Sequence, residues 1–257
     1  MKKIVFLFLI IIGFTTNAQT KKPTYKSGEW LKYRMHYGLI NAGFATIEIK
    51  DIVHQSKEAY HVTGKGWTTG FVSLFFKVED NYQTYFYKDD MKPYHFRRRV
   101  NEGGYIISRD VYFDYEADEA HIKDHKKDQE KSVVIGDIQD MISSFYYLRN
   151  QDIAKMKSGD EIAINMFFDA ETFDFRLKYL GSEVIKTKFG KVKCYILRPM
   201  VQSGRVFEAD ESLTVWVTAD KNKIPIRIKA ELAVGSLKAD LDAFKGLANS
   251  FNIIIDN

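Results

Sequence analysis

Leu31-Lys32-Tyr33-Arg34-Met35-His36-Tyr37, then Ile40-Asn41-Ala42-Gly43, then Phe44-Ala45-Thr46-Ile47-Glu48-Ile49 is the stretch that decides the fold. The first segment alternates, the second reads as a tight turn, and the third alternates again. In the third, Phe44, Thr46 and Glu48 face one way and Ala45, Ile47 and Ile49 the other, as in a strand buried on one face only. Two such strands joined by a short turn make an antiparallel hairpin.

Outward from there the pattern repeats. The chain holds 15 tyrosines and 19 phenylalanines, with turn residues between the runs, which favours strands. Further strands are predicted near 58–66, 77–88, 93–101, 104–114, 160–168, 173–187, 190–198, 211–219 and 224–234. Asp89-Asp90-Met91-Lys92-Pro93 and Asp220-Lys221-Asn222-Lys223-Ile224-Pro225 each separate two strand runs. In both, Asp opens the turn and Pro begins the next strand, where a missing ladder N–H does least harm.

One helix is predicted at about 137–150, with Asp137 as N-cap and Ile138, Met141, Ile142, Phe145 and Leu148 three to four residues apart. Ser143, Ser144, Arg149 and Asn150 fall elsewhere on the turn, so the helix reads as one-sided, laid on a concave sheet. The polar run Glu116 to Ser132 reads as a long exposed loop or hairpin tip. The end, Phe244 to Asn257, reads as a short helix followed by a strand at 252–255. The expected fold is mainly β: a large curved antiparallel sheet or incomplete barrel with one packed helix. It is similar to the periplasmic lipoprotein-carrier fold, in which a half-barrel and helices enclose an apolar cavity.

The first residues speak to destination. Lys2-Lys3, the apolar run Ile4 to Ile12 and the small, polar Thr15-Thr16-Asn17-Ala18 follow the order of a secretory signal cut after Ala18. That apolar run is about half of the roughly 20 residues needed to span a bilayer. Residues 1–18 are therefore read as a signal peptide and 19–257 as a single domain, with no membrane span after cleavage. No cysteine follows the apolar run to carry a lipid anchor. The expected location is the periplasm or the periplasmic face of the outer membrane. Cleavage takes away two lysines and lowers the net charge from +4 to +2, which gives no basis for nucleic-acid binding. The lone Cys194, in an alternating run, reads as a small buried residue.

Gly28-Glu29 with Leu31-Lys32-Tyr33, Tyr37-Gly38, Ala42-Gly43 with Ala45-Thr46, Gly190-Lys191-Val192-Lys193-Cys194 with Pro199, and Leu213 to Thr218 with Asp220 and Ile224-Pro225 carry a resemblance. Together they resemble an uncharacterised exported bacterial family, domain of unknown function number three thousand one hundred and eight. The resemblance implies an envelope protein, largely β, and assigns no functional residue.

Chemistry-bearing groups are few. The segment Gly64 to Phe76 holds Trp67, Phe71, Leu74, Phe75 and Phe76 without clean alternation. It reads either as an irregular lip that sets aromatics over a cavity or against a membrane surface, or as core filling around the helix. Arg97 and Arg99 share one strand face and Arg98 takes the other. The pair forms a fork for a carboxylate or phosphate, or else simply faces Glu79 or Asp110 on a neighbouring strand. His121 and His125 lie among acids, but in a charged stretch that reads as solvated. Gly-x-Ser-x-Gly, His-Glu-x-x-His and phosphate-loop patterns are absent.

No catalytic, cofactor-binding or metal-binding residue is assigned, and no cofactor is expected. The ligand-binding candidates are Trp67, Phe71, Phe75, Phe76, Arg97 and Arg99. They fit an exported envelope protein that binds a lipid or other amphipathic molecule without catalysis. A structural module working with other envelope proteins, and a glycan-active enzyme with a pair of carboxylates, stay open beside it.

Overall fold

The computed structural model describes residues 23–200, 213–232 and 234–255; the signal-peptide reading of residues 1–18 lies outside them. Fifteen strands form one sheet. In chain order they are β1 (Trp30–Tyr37), β2 (Ile40–His54), β3 (Lys57–Thr68), β4 (Glu79–Tyr87), β5 (Pro93–Glu102), β6 (Tyr105–Asp114), β7 (Glu119–Asp124), β8 (Gln129–Val134), β9 (Gln139–Asp140), β10 (Glu161–Phe168), β11 (Glu171–Thr187), β12 (Gly190–Met200), β13 (Leu213–Thr218), β14 (Pro225–Glu231) and β15 (Ser236–Lys245). Among the described residues two α-helices interrupt them, α1 (Val72–Phe75) and α2 (Met141–Arg149).

Two runs of hairpins make up the sheet. β1 to β8 step outward to one edge, and β10 to β15 step back from the other until β15 pairs with β1. Every pairing is antiparallel except the two-residue contact of β9 with β10. Although far apart in strand order, β6 and β10 meet across the interior, where the Phe113 and Phe167 ring centroids are 5.3 Å apart. The sheet therefore curls round on itself without closing, as the alternating pattern predicts. Among the described residues no helix is long and apolar enough to cross a membrane.

The inward face is that of Ala45, Ile47 and Ile49 on β2, which pack with Leu31, Val62 and Phe86. Tyr146 of α2 is fully buried in this cluster, edge-on to Tyr25 at 4.7 Å. An aromatic side chain hidden so completely contributes about 3 kcal/mol of apolar burial. Ile142 of α2 packs against this cluster and against the second one, around Phe96, Val111, Phe113 and Phe167. Gly64 on β3 makes room for it, since a Cβ there would lie 3.3 Å from Ile142 Cδ1. The helix thus fills the curve of the sheet where a carrier would keep a cavity.

The helix starts later than the sequence indicates. Asp140, not Asp137, is the N-cap: its carboxylate accepts from the Ile142 and Ser143 N–H groups, and the Ser143 hydroxyl accepts from the Asp140 N–H. Asp137 is exposed and pairs with Lys92 at 2.5 Å. Nor is the helix one-sided, because Ser143, Ser144 and Arg149 are all buried. Ser144 bonds back to the Met141 carbonyl, and Arg149 grips the fully buried Glu29 with two hydrogen bonds.

Residues 116–132 form a hairpin, the second of the two readings: β7 and β8 pair antiparallel, with turns at 115–118 and 125–128. Ala120, Ile122 and Asp124 of β7 turn inward, while most of the charges face out from β7 and the edge strand β8. At the other end of the chain, Ser236–Lys245 is a strand, and 252–255 makes only an isolated bridge from Ile254 to Lys191. Ile40 to Gly43 belong to β2, with the turn at Gly38-Leu39. Cys194 is fully buried, and burial pushes its thiol up to about 12.

Candidate functional site

Because the strands run up and down, alternate turns gather at one end of the curved sheet. Among the fully described turns at that end the longest is the excursion between β3 and β4. It is tied at its base by Thr68, whose hydroxyl donates to the Phe76 carbonyl at 3.1 Å and accepts from the Val78 N–H at 2.9 Å. Asn41 braces it by donating to the Thr69 hydroxyl, and Ser73 donates to the Gly70 carbonyl. With its ends so fixed, the short α1 turns its apolar residues outward. Phe71 is 69%, Leu74 78% and Phe75 75% exposed, and the Phe71 and Phe75 rings lie 4.7 Å apart. Phe76 leans over Gly103, leaving no room there for a Cβ.

The neighbouring turns are apolar too. Leu39 and Ile40 project between β1 and β2, Tyr105 and Ile106 between β5 and β6, and Leu232 and Val234 between β14 and β15. Tyr37 links two of these turns by donating to the Val234 carbonyl at 2.7 Å, and the Gly103 N–H joins two others through the Lys77 carbonyl at 2.8 Å. The result is a rim, a row of apolar side chains along four adjacent turns at one end of the sheet. Its signal in the sequence is apolar residues set beside turn glycines, as in Gly38-Leu39-Ile40, Gly104-Tyr105-Ile106 and Val234-Gly235, where turn chemistry favours polar ones. Leu39, Ile40, Tyr105, Ile106 and Val234 are rim residues that the sequence reading did not single out for binding.

Of the residues it did name, Phe71, Phe75 and Phe76 are on the rim, outside the core around α2. Trp67 lies just below it on the outer wall, with its ring 6.1 Å from that of Phe44. The close pairing of β2 and β3 there requires glycine at position 43, where a Cβ would come within 2.2 Å of the Trp67 carbonyl oxygen.

Arg97 and Arg99 are on the outer wall of β5, separate from the rim, with Arg98 pointing inward onto Asp169. Both outward arginines already hold a carboxylate. Asp110, opposite Arg97 on β6, accepts from Arg97 Nε at 2.8 Å and Arg99 Nη2 at 2.5 Å. His95 and His125 approach the same carboxylate at 2.8 and 2.6 Å. Burial alone would raise the Asp110 pKa, but these four partners override it and hold the carboxyl well below the usual range. Glu79, the other acid named from sequence, pairs with Lys77 instead. His121 and His125 do not come together: His121 bonds Ser132 and His125 bonds Asp110. Among the described residues no group of three or more acids, histidines or cysteines is placed to hold a metal.

The fold has a solved counterpart. The beta-barrel-like protein of domain of unknown function DUF1849 from Brucella abortus is similar with a TM-score of 0.56 at 11% identity, covering 86% of this chain and 98% of its own. A DUF1089 family protein from Pseudomonas aeruginosa gives a TM-score of 0.33 at 12% identity, over 70% of this chain and 87% of the other. No curated protein matches the sequence. Residues 32–242 match the family described as protein of unknown function (DUF3108), and the chain belongs to that family.

Proposed function

We propose that this protein is a non-catalytic binding protein of the cell envelope whose apolar rim attaches it to a lipid surface. The observation that carries the reading is the rim itself: aromatic and aliphatic side chains, three of them 69–78% exposed, projecting from adjacent turns at one end. Contiguous exposed apolar surface of this kind marks an interaction site. The interior is taken up by α2, so an apolar partner would meet this protein on the rim and not in a chamber. The projecting turns suit a broad, soft surface, and Tyr37 and Tyr105 are of the residue type that settles at the membrane–water boundary.

Phe71, Leu74 and Phe75 each have roughly 100–150 Å² to remove from water, or about 3 kcal/mol apiece at 25 cal/mol per Å². Two such residues are enough for reversible attachment. Export, read from residues 1–18, would bring the protein to a compartment lined by membranes, with attachment on the periplasmic side.

The test is co-sedimentation of the chain from Gln19 onward with vesicles of phosphatidylethanolamine and phosphatidylglycerol. Wild type should pellet with the lipid, and Phe71→Ser/Phe75→Ser should bind at least tenfold more weakly with an unchanged melting temperature. Wild-type protein that stays in the supernatant would overturn the proposal, leaving a protein partner as the occupant of the rim.

A further inference from the structure

The outer wall carries a second feature, at the end away from the rim. His61 on β3, Tyr85 on β4, His95 on β5 and Tyr112 on β6 are successive register partners, so their side chains form one row across four strands. Their rings stack face to face, with centroids 4.2, 5.0 and 4.5 Å apart and planes within 10° of parallel. Stacking covers the ring faces; the His61 and His95 edges bond Gln83 and Asp110, while the half-exposed Tyr112 presents its phenol edge.

Beside this row opens a groove of about 900 Å³, within the size range of small-molecule sites. Tyr85, His95 and Tyr112 line one part of it. The β2–β3 turn supplies His54, stacked on Tyr94 at 4.2 Å, and Tyr87 stands 4.8 Å from the same Tyr94 ring. Tyr115 closes the far side.

The hydroxyls are the informative atoms. Among the described residues Tyr85 spends its hydroxyl on Gln83, but those of Tyr87, Tyr94 and Tyr112 bond no protein atom, and that of Tyr115 is buried without a partner. Burial and the neighbouring phenols push Tyr94 up to about 12, so its hydroxyl stays a neutral donor and acceptor.

The groove is also balanced in charge. Lys57, Lys92 and Arg97 stand against Asp90, Asp114 and Glu116. Lys92 is held by Asp137 and Arg97 by Asp110, while Asp90 and Asp114 each accept turn N–H groups. Of the lining cations only Lys57 has no acid partner among the described residues, and its ammonium lies over the Tyr87 ring, so the groove holds little for an anion.

We infer that this groove is a binding site for an uncharged glycan. Such a ligand offers many hydroxyls to the unpartnered phenols of Tyr87, Tyr94 and Tyr112. An extended peptide is a poorer match. β4, β5 and β6 are paired on both sides and offer no free edge for a strand, and proline-rich segments need open slots between ring faces, which stacking has filled here.

The site is independent of the rim, and so is its test. The chain from Gln19 onward is titrated with cellohexaose, maltohexaose and N-acetylglucosamine hexamer, followed by isothermal calorimetry and by the NMR signals of tyrosine and histidine rings. At least one probe should bind and shift the Tyr85, Tyr94 and His95 resonances. Tyr87→Phe/Tyr94→Phe/Tyr112→Phe, which keeps every ring and removes three hydroxyls, should weaken that binding at least tenfold and leave vesicle sedimentation unchanged. Absence of binding by all three probes, equal binding by the variant, or displacement of the sugar by a proline-rich decapeptide would each overturn the inference. Failure of vesicle attachment would not touch it.

Discussion

Replacing Arg149 by Met should remove a large part of this protein's stability. Arg149 is 3% exposed and Glu29 0%. The guanidinium donates to both Glu29 carboxylate oxygens, at 2.5 and 2.8 Å, and its Nε donates to the Asn222 carbonyl at 3.0 Å. The rings of Tyr25, Phe145 and Tyr146 lie 5.3 to 5.4 Å from it. One side chain therefore joins the segment before β1, the end of α2 and the β13–β14 turn. Without it, Glu29 is a buried charge with no counter-charge, a loss worth about 3–5 kcal/mol against a total of about 5–15 kcal/mol for a typical protein. Urea unfolding followed by tryptophan fluorescence measures it. Glu29→Met alone should cost about as much, for the mirror-image reason. The double replacement, Glu29→Met/Arg149→Met, leaves no stranded charge and should cost less than either single change. A cost below about 1 kcal/mol for Arg149→Met, or a double variant as unstable as the two single losses added together, would refute the reasoning.

Asp140 should make stability depend on pH. Burial raises its pKa to about 6 despite hydrogen bonds from Thr84, Ser143 and Ile142. The native state then binds this proton more tightly than the unfolded chain. Its contribution is complete below about pH 3.8 and is lost as pH rises through about 6, by up to about 3 kcal/mol. Asp140→Asn caps a helix equally well and lacks that proton, so its melting temperature should gain on wild type between pH 4 and 7; a constant difference would sink the argument. Gly43→Ala should destabilise by about 1–3 kcal/mol, because its Cβ meets the Trp67 carbonyl oxygen, whereas Gly66→Ala meets nothing within 4 Å. Equal urea midpoints for these two variants would show that the close approach at Gly43 does not matter.

The hairpins were legible because local chemistry decides them. Pro93 and Pro225 begin β5 and β14, and the faces of Phe44 to Ile49 sort as their alternation indicates. Where local chemistry is ambiguous, legibility fails. β7 and β8 hide behind charges that belong on their outer face. β15 turns only Leu241 fully inward, among half-buried neighbours, so its periodicity is faint until β1 is beside it. The helix start moved because Asp140 gains a partner, Thr84, from a strand 56 residues earlier. The rim was partly legible, since Phe71, Phe75 and Phe76 break the strand pattern. The groove was not, because His61, Tyr85, His95 and Tyr112 become a row only when four strands take up register.

The pairing of β1 with β15 has a consequence in time. The two strands lie side by side in mid-sheet but come from opposite ends of the described chain. The other antiparallel pairs join strands consecutive in the chain, so their loops close early, and the β1–β15 seam, which closes the longest loop, closes last. The strand made first must therefore wait, one flank bare, for the strand made last. Bare flanks invite wrong neighbours, and charge is the common deterrent. On β1 the outward-facing Lys32, Arg34 and His36 supply it while the nascent chain grows. When β15 arrives, Lys32 reaches Asp242 at 3.4 Å and His36 reaches Asp240 at 3.0 Å. The residues that keep strangers off during synthesis are those that recognise the rightful strand at its end.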